Sequence, residues 1–144
     1  MSHSLKRTSL RLLALCLFLL LTSAAAWAQA RGTKPIYPIQ FKPGAKSAVV
    51  EGTVTEPSGE GDMHNPGSER YTLKVKGGQT VQMEISSDNG EAVFSLATPD
   101  YEIVEDASGV KRWVGKIKLA GDYFVTVFTR GKAASRFKLK VTLR

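Results

Sequence analysis

The sequence is poor in the residues on which most site chemistry is built. Its 144 residues include one cysteine and two histidines. Cys16 and His3 both fall in the first thirty residues, which read as a cleaved secretory signal. Lys6, Arg7 and Arg11 open it, an apolar run from Leu12 to Leu21 follows, and Ala28-Gln29-Ala30 supplies a small-residue end. Residues 31–144 then hold no thiol, which excludes a disulfide framework, a cysteine nucleophile and a thiolate zinc site. His64 alone cannot build a histidine cluster. Long hydrophobic runs are missing too: the Leu12–Leu21 stretch is about half of what a bilayer span requires, so no membrane span is expected. Cys16 follows Leu15 rather than a small residue, which argues against lipid attachment. GxSxG, HExxH and a phosphate-cradling glycine loop are absent, and residues 31–144 show no helical i, i+3, i+4 apolar stripe. The expectation is a non-enzyme without metal or cofactor.

What is present is a period of two. Residues 31–38 read as an extended, proline-bearing arm, and Ile39 to Phe41 as a first short strand. Ser47 to Thr55 is rich in β-branched residues. Tyr71, Leu73 and Val75 alternate with Arg70, Thr72 and Lys74, and Gly77-Gly78 links them to Val81, Met83 and Ile85. Asp88-Asn89-Gly90 marks the next turn, before Ala92, Phe94 and Leu96. Trp113, Gly115 and Ile117 alternate with Val114, Lys116 and Lys118. Tyr123 to Thr129 follows the Gly121-Asp122 turn, and Phe137, Leu139, Val141 and Leu143 face away from Arg136, Lys138, Lys140 and Thr142. This pattern predicts an all-β domain over residues 39–144, a single antiparallel β-sandwich of about seven to nine short strands. Glu56 to Glu69 (EPSGEGDMHNPGSE) has no periodicity and reads as a flexible acidic loop.

Charge is sorted along the chain. The net +7 falls to +4 without the three bases of the first thirty residues. That +4 conceals −9 over Glu51–Asp106 and +9 over Ala107–Arg144, with the remaining +4 in Arg31–Val50. A dipolar molecule is the expectation. Arg136, Lys138 and Lys140 should form a basic stripe, with Lys116 and Lys118 as candidates to extend it. Such a stripe serves either as edge-strand protection or as a surface for an anionic partner, such as an anionic glycan.

Few residues suggest chemistry. Thirteen acids offer many carboxylate pairs, but none is singled out. His64, beside Asp62 and Asn65, is read as a solvent-exposed loop residue rather than a ligand. Glu60 and Asp62, or Asp88 and Glu91, match no defined calcium-loop spacing. Phe124 and Phe128 lie opposite Tyr123, Val125 and Val127, as base-stacking aromatics would. Burial at a sandwich corner or beside a loop explains them as well, and an exported protein is not expected to meet nucleic acid.

Several pieces in order resemble the periplasmic inhibitors of goose-type (g-type) lysozyme and, more loosely, the bacterial pre-peptidase C-terminal (PPC) domains. Phe41-Lys42-Pro43-Gly44 with Ser47-Ala48 and Gly52 fits F-x-x-G-x-x-S-A-x-x-x-G; Tyr71-Thr72-Leu73 with Gly78-Gln79-Thr80 fits Y-x-L…G-Q-T. Trp113-Val114-Gly115 and Ala120-Gly121-Asp122-Tyr123 fit W-x-G…[SA]-G-x-Y, and Phe137-Lys138-Leu139-Lys140-Val141 closes the series. The resemblance implies a small β-sandwich, periplasmic or secreted, that binds a protein partner: goose-type lysozyme or a similar cell-wall hydrolase. It implies occlusion of the enzyme's cleft by loops at one end of the sandwich, carried by Asp122, Tyr123, Arg130, Lys132 and Arg136. The last loop, Gly131 to Ser135, is shorter than the arginine-rich loop the resemblance implies. The alternative is a PPC-like structural or accessory domain of the cell envelope that binds glycans or other exported proteins.

Overall fold

The computed structural model describes residues 34–56 and 67–144. The signal expected over residues 1–30 and most of the acidic loop, His64 included, lie outside the described residues. Eight strands are present: β1 (Ile36–Pro38), β2 (Ser47–Val54), β3 (Glu69–Val75), β4 (Thr80–Ser87), β5 (Ala92–Ala97), β6 (Arg112–Lys116), β7 (Gly121–Thr129) and β8 (Ser135–Leu143). They form two four-stranded sheets, ordered β1-β3-β7-β5 and β2-β8-β4-β6. All pairings are antiparallel except β1 with β3. No helix occurs among the described residues. The architecture is a β-sandwich, as the alternation predicts.

The alternating residues set the core. Leu73, Val81, Met83, Phe94, Leu96, Val125, Val127, Leu139 and Val141 are fully buried between the sheets. Each such side chain contributes roughly 1.5–3 kcal/mol of transfer free energy. Burial, with Glu69 and Tyr37 nearby, pushes the Tyr71 phenol up to about 12.

The first strand departs from expectation. Ile36 to Pro38, inside the predicted arm, forms β1, whereas Ile39 to Phe41 is irregular. Ile39 donates its N–H to Thr72 O at 2.8 Å, and its side chain enters the core. Pro38 is tolerated because β1 is an edge strand, where a missing donor costs no ladder bond.

Two glycines of the recognised pieces are sites of close approach. The ring of Phe137 lies over Gly52, its register partner on edge strand β2: a Cβ there would fall 2.9 Å from two ring carbons and 3.3 Å from the Tyr71 hydroxyl. The Trp113 indole covers Gly115 on edge strand β6, where a Cβ would meet it at 2.2 Å. Trp113 Nε1 donates to Glu105 O at 3.2 Å. In both cases an aromatic ring shields an edge-strand glycine.

The charge pattern folds differently from its order in sequence. β8 is a central strand, flanked by β2 and β4, so its bases do not protect a sheet edge. Two of them, Arg136 and Lys138, meet acids from the acidic stretch instead. Lys138 pairs with Glu51 at 2.9 Å and Arg136 with Asp88 at 3.3 Å, while Arg112 on β6 pairs with Glu84 at 2.6 Å. Each pair joins the acidic stretch to the basic one, so part of the charge sorted along the sequence is neutralised across neighbouring strands. Lys116 lies opposite Thr80, two strands from β8, and does not extend the stripe.

Candidate functional site

β7 runs the full height of the first sheet, and its two ends define the two poles of the sandwich. The end at Thr129 will be called the rim and the end at Gly121 the base. Register places Glu69, Ala92, Val54, Ser135 and Ser87 near the rim, and Val75, Ser47, Thr80, Lys116 and Leu143 near the base.

The rim is organised by a chain of side-chain hydrogen bonds. Thr129 and Ser135, at the facing ends of β7 and β8, are buried, with their hydroxyls 3.1 Å apart. Gly131 N–H donates to Thr129 Oγ1 at 3.2 Å, and Ser135 Oγ donates to Asn89 Oδ1 at 2.7 Å. That leaves the Thr129 hydroxyl as donor to Ser135. Asn89 Oδ1 also accepts from Glu91 N at 3.1 Å, and Asn89 Nδ2 donates to Ala134 O at 3.3 Å. One asparagine therefore ties the 88–91 turn to the 130–134 connection. Asp88 reinforces this, accepting from Arg136 N at 3.1 Å, Arg136 Nε at 3.3 Å and Asn89 N at 2.9 Å. Desolvation is the largest single influence and opposes ionisation, but these donors and the Arg136 charge together outweigh it and hold the Asp88 carboxyl below its ordinary range.

On this frame stand the cations. Arg130 N donates to Glu91 O at 3.1 Å, and its guanidinium donates to Gly109 O beside the Phe128 ring. Arg130 thus spans three loops while remaining exposed. Lys132 is exposed on the next turn, and Arg136 stands 82% exposed despite its contact with Asp88. The rim can hold an anionic group by charge-assisted, partly preorganised donors. Among the described residues no cluster of three His, Cys, Asp or Glu could hold a metal ion.

The five predicted partner-binding residues do not share an end. Arg130, Lys132 and Arg136 are together at the rim, but Asp122 and Tyr123 are at the base. Eight residue steps along β7 separate Asp122 from Arg130, about 26 Å of extended chain. Tyr123 is buried and donates to Leu119 O at 3.1 Å, a structural role. Asp122 is exposed opposite Lys74. Asp88 and Asn89, which organise the rim, read in the sequence as turn residues, Asp88 also as a weak calcium candidate, since only the β4–β8 register brings them to the last loop. Phe124 and Phe128 are half-buried beside the 98–111 loop. Tyr101 stacks on Phe124 with ring centroids 4.6 Å apart, so these rings are occupied within the fold.

Comparison with solved structures places this architecture. The g-type lysozyme inhibitor PliG of Aeromonas hydrophila, a periplasmic protein, superposes with a TM-score of 0.60 at 26% identity, over 76% of this chain and 96% of that one. The chain has the fold of these inhibitors. Salmonella Typhimurium PliG, also a periplasmic inhibitor of g-type lysozyme, matches with a TM-score of 0.55 at 18% identity, over 78% of this chain and all of that one. The pre-peptidase C-terminal domain of a Bacillus anthracis collagenase shares the fold at 12% identity and a TM-score of 0.52, over 77% of this chain and all of that one. Both resemblances read from the sequence thus reappear among the structural neighbours. No protein-family model matches the chain, and no curated protein matches it.

Proposed function

We propose that this protein is an exported, non-catalytic inhibitor of g-type lysozyme, acting in the periplasm or outside the cell by seating its rim in the enzyme's cleft. The observation that carries this reading is the likeness to Aeromonas hydrophila PliG, which spans nearly all of that inhibitor. The rim supplies a physical basis. Glycoside hydrolases work through carboxyl groups in a cleft, and Arg130, Lys132 and Arg136 offer a cationic edge that can pair with them. Arg130 leads because its backbone and guanidinium are both tethered, which lowers the ordering cost of binding. Asp122 and Tyr123, at the opposite pole, are left out of the contact.

The test is lysis of a cell-wall suspension by goose-type lysozyme, followed while residues 31–144 are titrated in. Inhibition at micromolar protein is expected; none at that concentration removes this reading. The accessory-domain alternative rests on fold alone, through the collagenase domain at 12% identity.

A further inference from the structure

The base is chemically unlike the rim. Three connections meet there: residues 42–46, 76–79 and 117–120. Backbone bonds stitch them side by side. Leu143 N donates to Lys46 O at 2.8 Å, and Thr80 and Arg144 exchange two bonds at 2.9 Å. Gly78 N donates to Ile117 O and Ile117 N to Gln79 O, both at 2.8 Å. These three connections carry no acid but hold Lys42, Lys46, Lys76 and Lys118, with Lys116 ending β6 beside them. All five lysines are exposed, and none forms an ion pair among the described residues. At the rim end, by contrast, Arg136 is paired with Asp88 and Lys34 with Glu69. Acids border the patch on one side: Asp122 follows the 117–120 connection at the start of β7, and Glu102, Glu105 and Asp106 share a surface groove with Lys116, Lys118 and Leu119.

A second observation identifies the partner. Leu119, at the tip of the 117–120 connection, is 63% exposed and follows Lys118 directly. A soluble polyanion would neutralise the lysines and offer the leucine nothing. An anionic bilayer satisfies both: lysines near its surface gain about 1 kcal/mol each, while an apolar tip gains by entering the headgroup–acyl boundary.

We infer that the base is a docking surface for anionic phospholipid, with Leu119 as the inserted tip and Lys42, Lys46, Lys76, Lys116 and Lys118 as the headgroup contacts. Docked this way, the protein directs its rim away from the bilayer. The inference does not depend on which enzyme, if any, the rim engages.

Vesicle co-sedimentation tests it, using residues 31–144, within which every described strand and core residue lies. The domain is mixed with vesicles of pure phosphatidylcholine, or of phosphatidylcholine with phosphatidylglycerol, at low and high salt. Binding is expected only to the phosphatidylglycerol vesicles, and to be lost at high salt. Lys76→Glu with Lys118→Glu should lower partitioning by about tenfold or more. Leu119→Ser should lower it about fivefold, and Arg130→Glu with Lys132→Glu should leave it unchanged. All substituted positions are exposed, and far-ultraviolet circular dichroism confirms folding. Three results overturn the proposal: no binding to anionic vesicles, equal loss from the rim and base variants, or full binding by Leu119→Ser with equal affinity for soluble polyphosphate.

Discussion

Gly52→Ala is the substitution that most sharply tests how this sandwich is packed. On a generic strand it should stabilise by about 0.4–1 kcal/mol, because alanine restricts the unfolded chain. Here the added Cβ would stand 2.9 Å from two carbons of the Phe137 ring and 3.3 Å from the Tyr71 hydroxyl. Carbon atoms in good contact sit about 3.5–4.0 Å apart, so the ring must move by more than half an ångström. Phe137 is 2% exposed and Tyr71 6%, so neither has open space to move into. Overpacking of this kind costs about 1–3 kcal/mol, which exceeds the entropic gain. A net loss of about 1–2 kcal/mol follows, a fall in Tm of about 4–8 °C for a domain of this size. Differential scanning calorimetry or guanidinium unfolding reads it directly. A Tm equal to or above that of the parent refutes the reasoning. A double-mutant cycle locates the clash: in a Phe137→Leu background the Gly52→Ala penalty should shrink to within about 0.5 kcal/mol of zero. An undiminished penalty would show that the ring is not what the methyl meets.

Other outcomes follow from the rim and the core. Ser135→Ala removes the hydroxyl between Thr129 and Asn89 and should cost about 1–2 kcal/mol in chemical denaturation; unchanged stability would mean the network contributes nothing. In the lysis assay Arg130→Ala should weaken inhibition by about 1–3 kcal/mol, roughly five- to 150-fold, whereas Asp122→Ala should stay within about twofold; the reverse order would move the contact to the base. Tyr71 titrates at about 12 in the folded protein, against 10.0 unfolded. Stability from its neutral phenol is therefore complete below pH 10 and falls as pH rises from 10 toward 12, by at most about 3 kcal/mol. Tyr71→Phe should flatten that part of the curve, and an unchanged alkaline slope would remove the assignment. Glu51→Gln, which breaks an exposed pair with Lys138, should cost less than about 1 kcal/mol at low salt, and a larger loss would contradict its exposure.

The strands were legible because burial on one face of a sheet imposes a period of two that no loop imitates. Phe137, Leu139 and Val141 turn inward and Arg136, Lys138 and Lys140 outward, as their alternation requires. Strand order was not legible. Nothing in β8 itself says that β2 and β4 flank it, so its lysines read as edge protection when they are central and face acids. Nor does the sequence say which of the sorted charges meet across strands, as Lys138 meets Glu51. β1 was misplaced because Pro38 looked like a barrier, although a proline on an edge strand leaves no ladder bond unmade. Asp122 and Arg130 were grouped because the resemblance implies loops at one end of the sandwich; β7 instead separates them by eight residues of extended chain.

That last point bears on what the recognised pieces mean. Gly52 makes room for Phe137, Gly115 for Trp113, and Tyr123 anchors the 117–120 connection through Leu119 O. Gln79 Oε1 accepts from Lys76 N at 2.8 Å and closes the β3–β4 turn. Each of these pieces is explained by packing or turn geometry. They serve the fold rather than a particular partner, and the collagenase domain shares that fold at 12% identity. Specificity must then reside where those pieces stop. At the rim, Asn89 and Asp88 brace a short connection carrying Arg130 and Lys132. At the base, Leu119 stands exposed beside Lys118, in connections that hold four lysines without an ion pair among the described residues. Because β7 keeps these two poles apart, substitutions at one should leave the other's binding intact. A domain built this way can meet a soluble partner at one end while resting on a surface at the other.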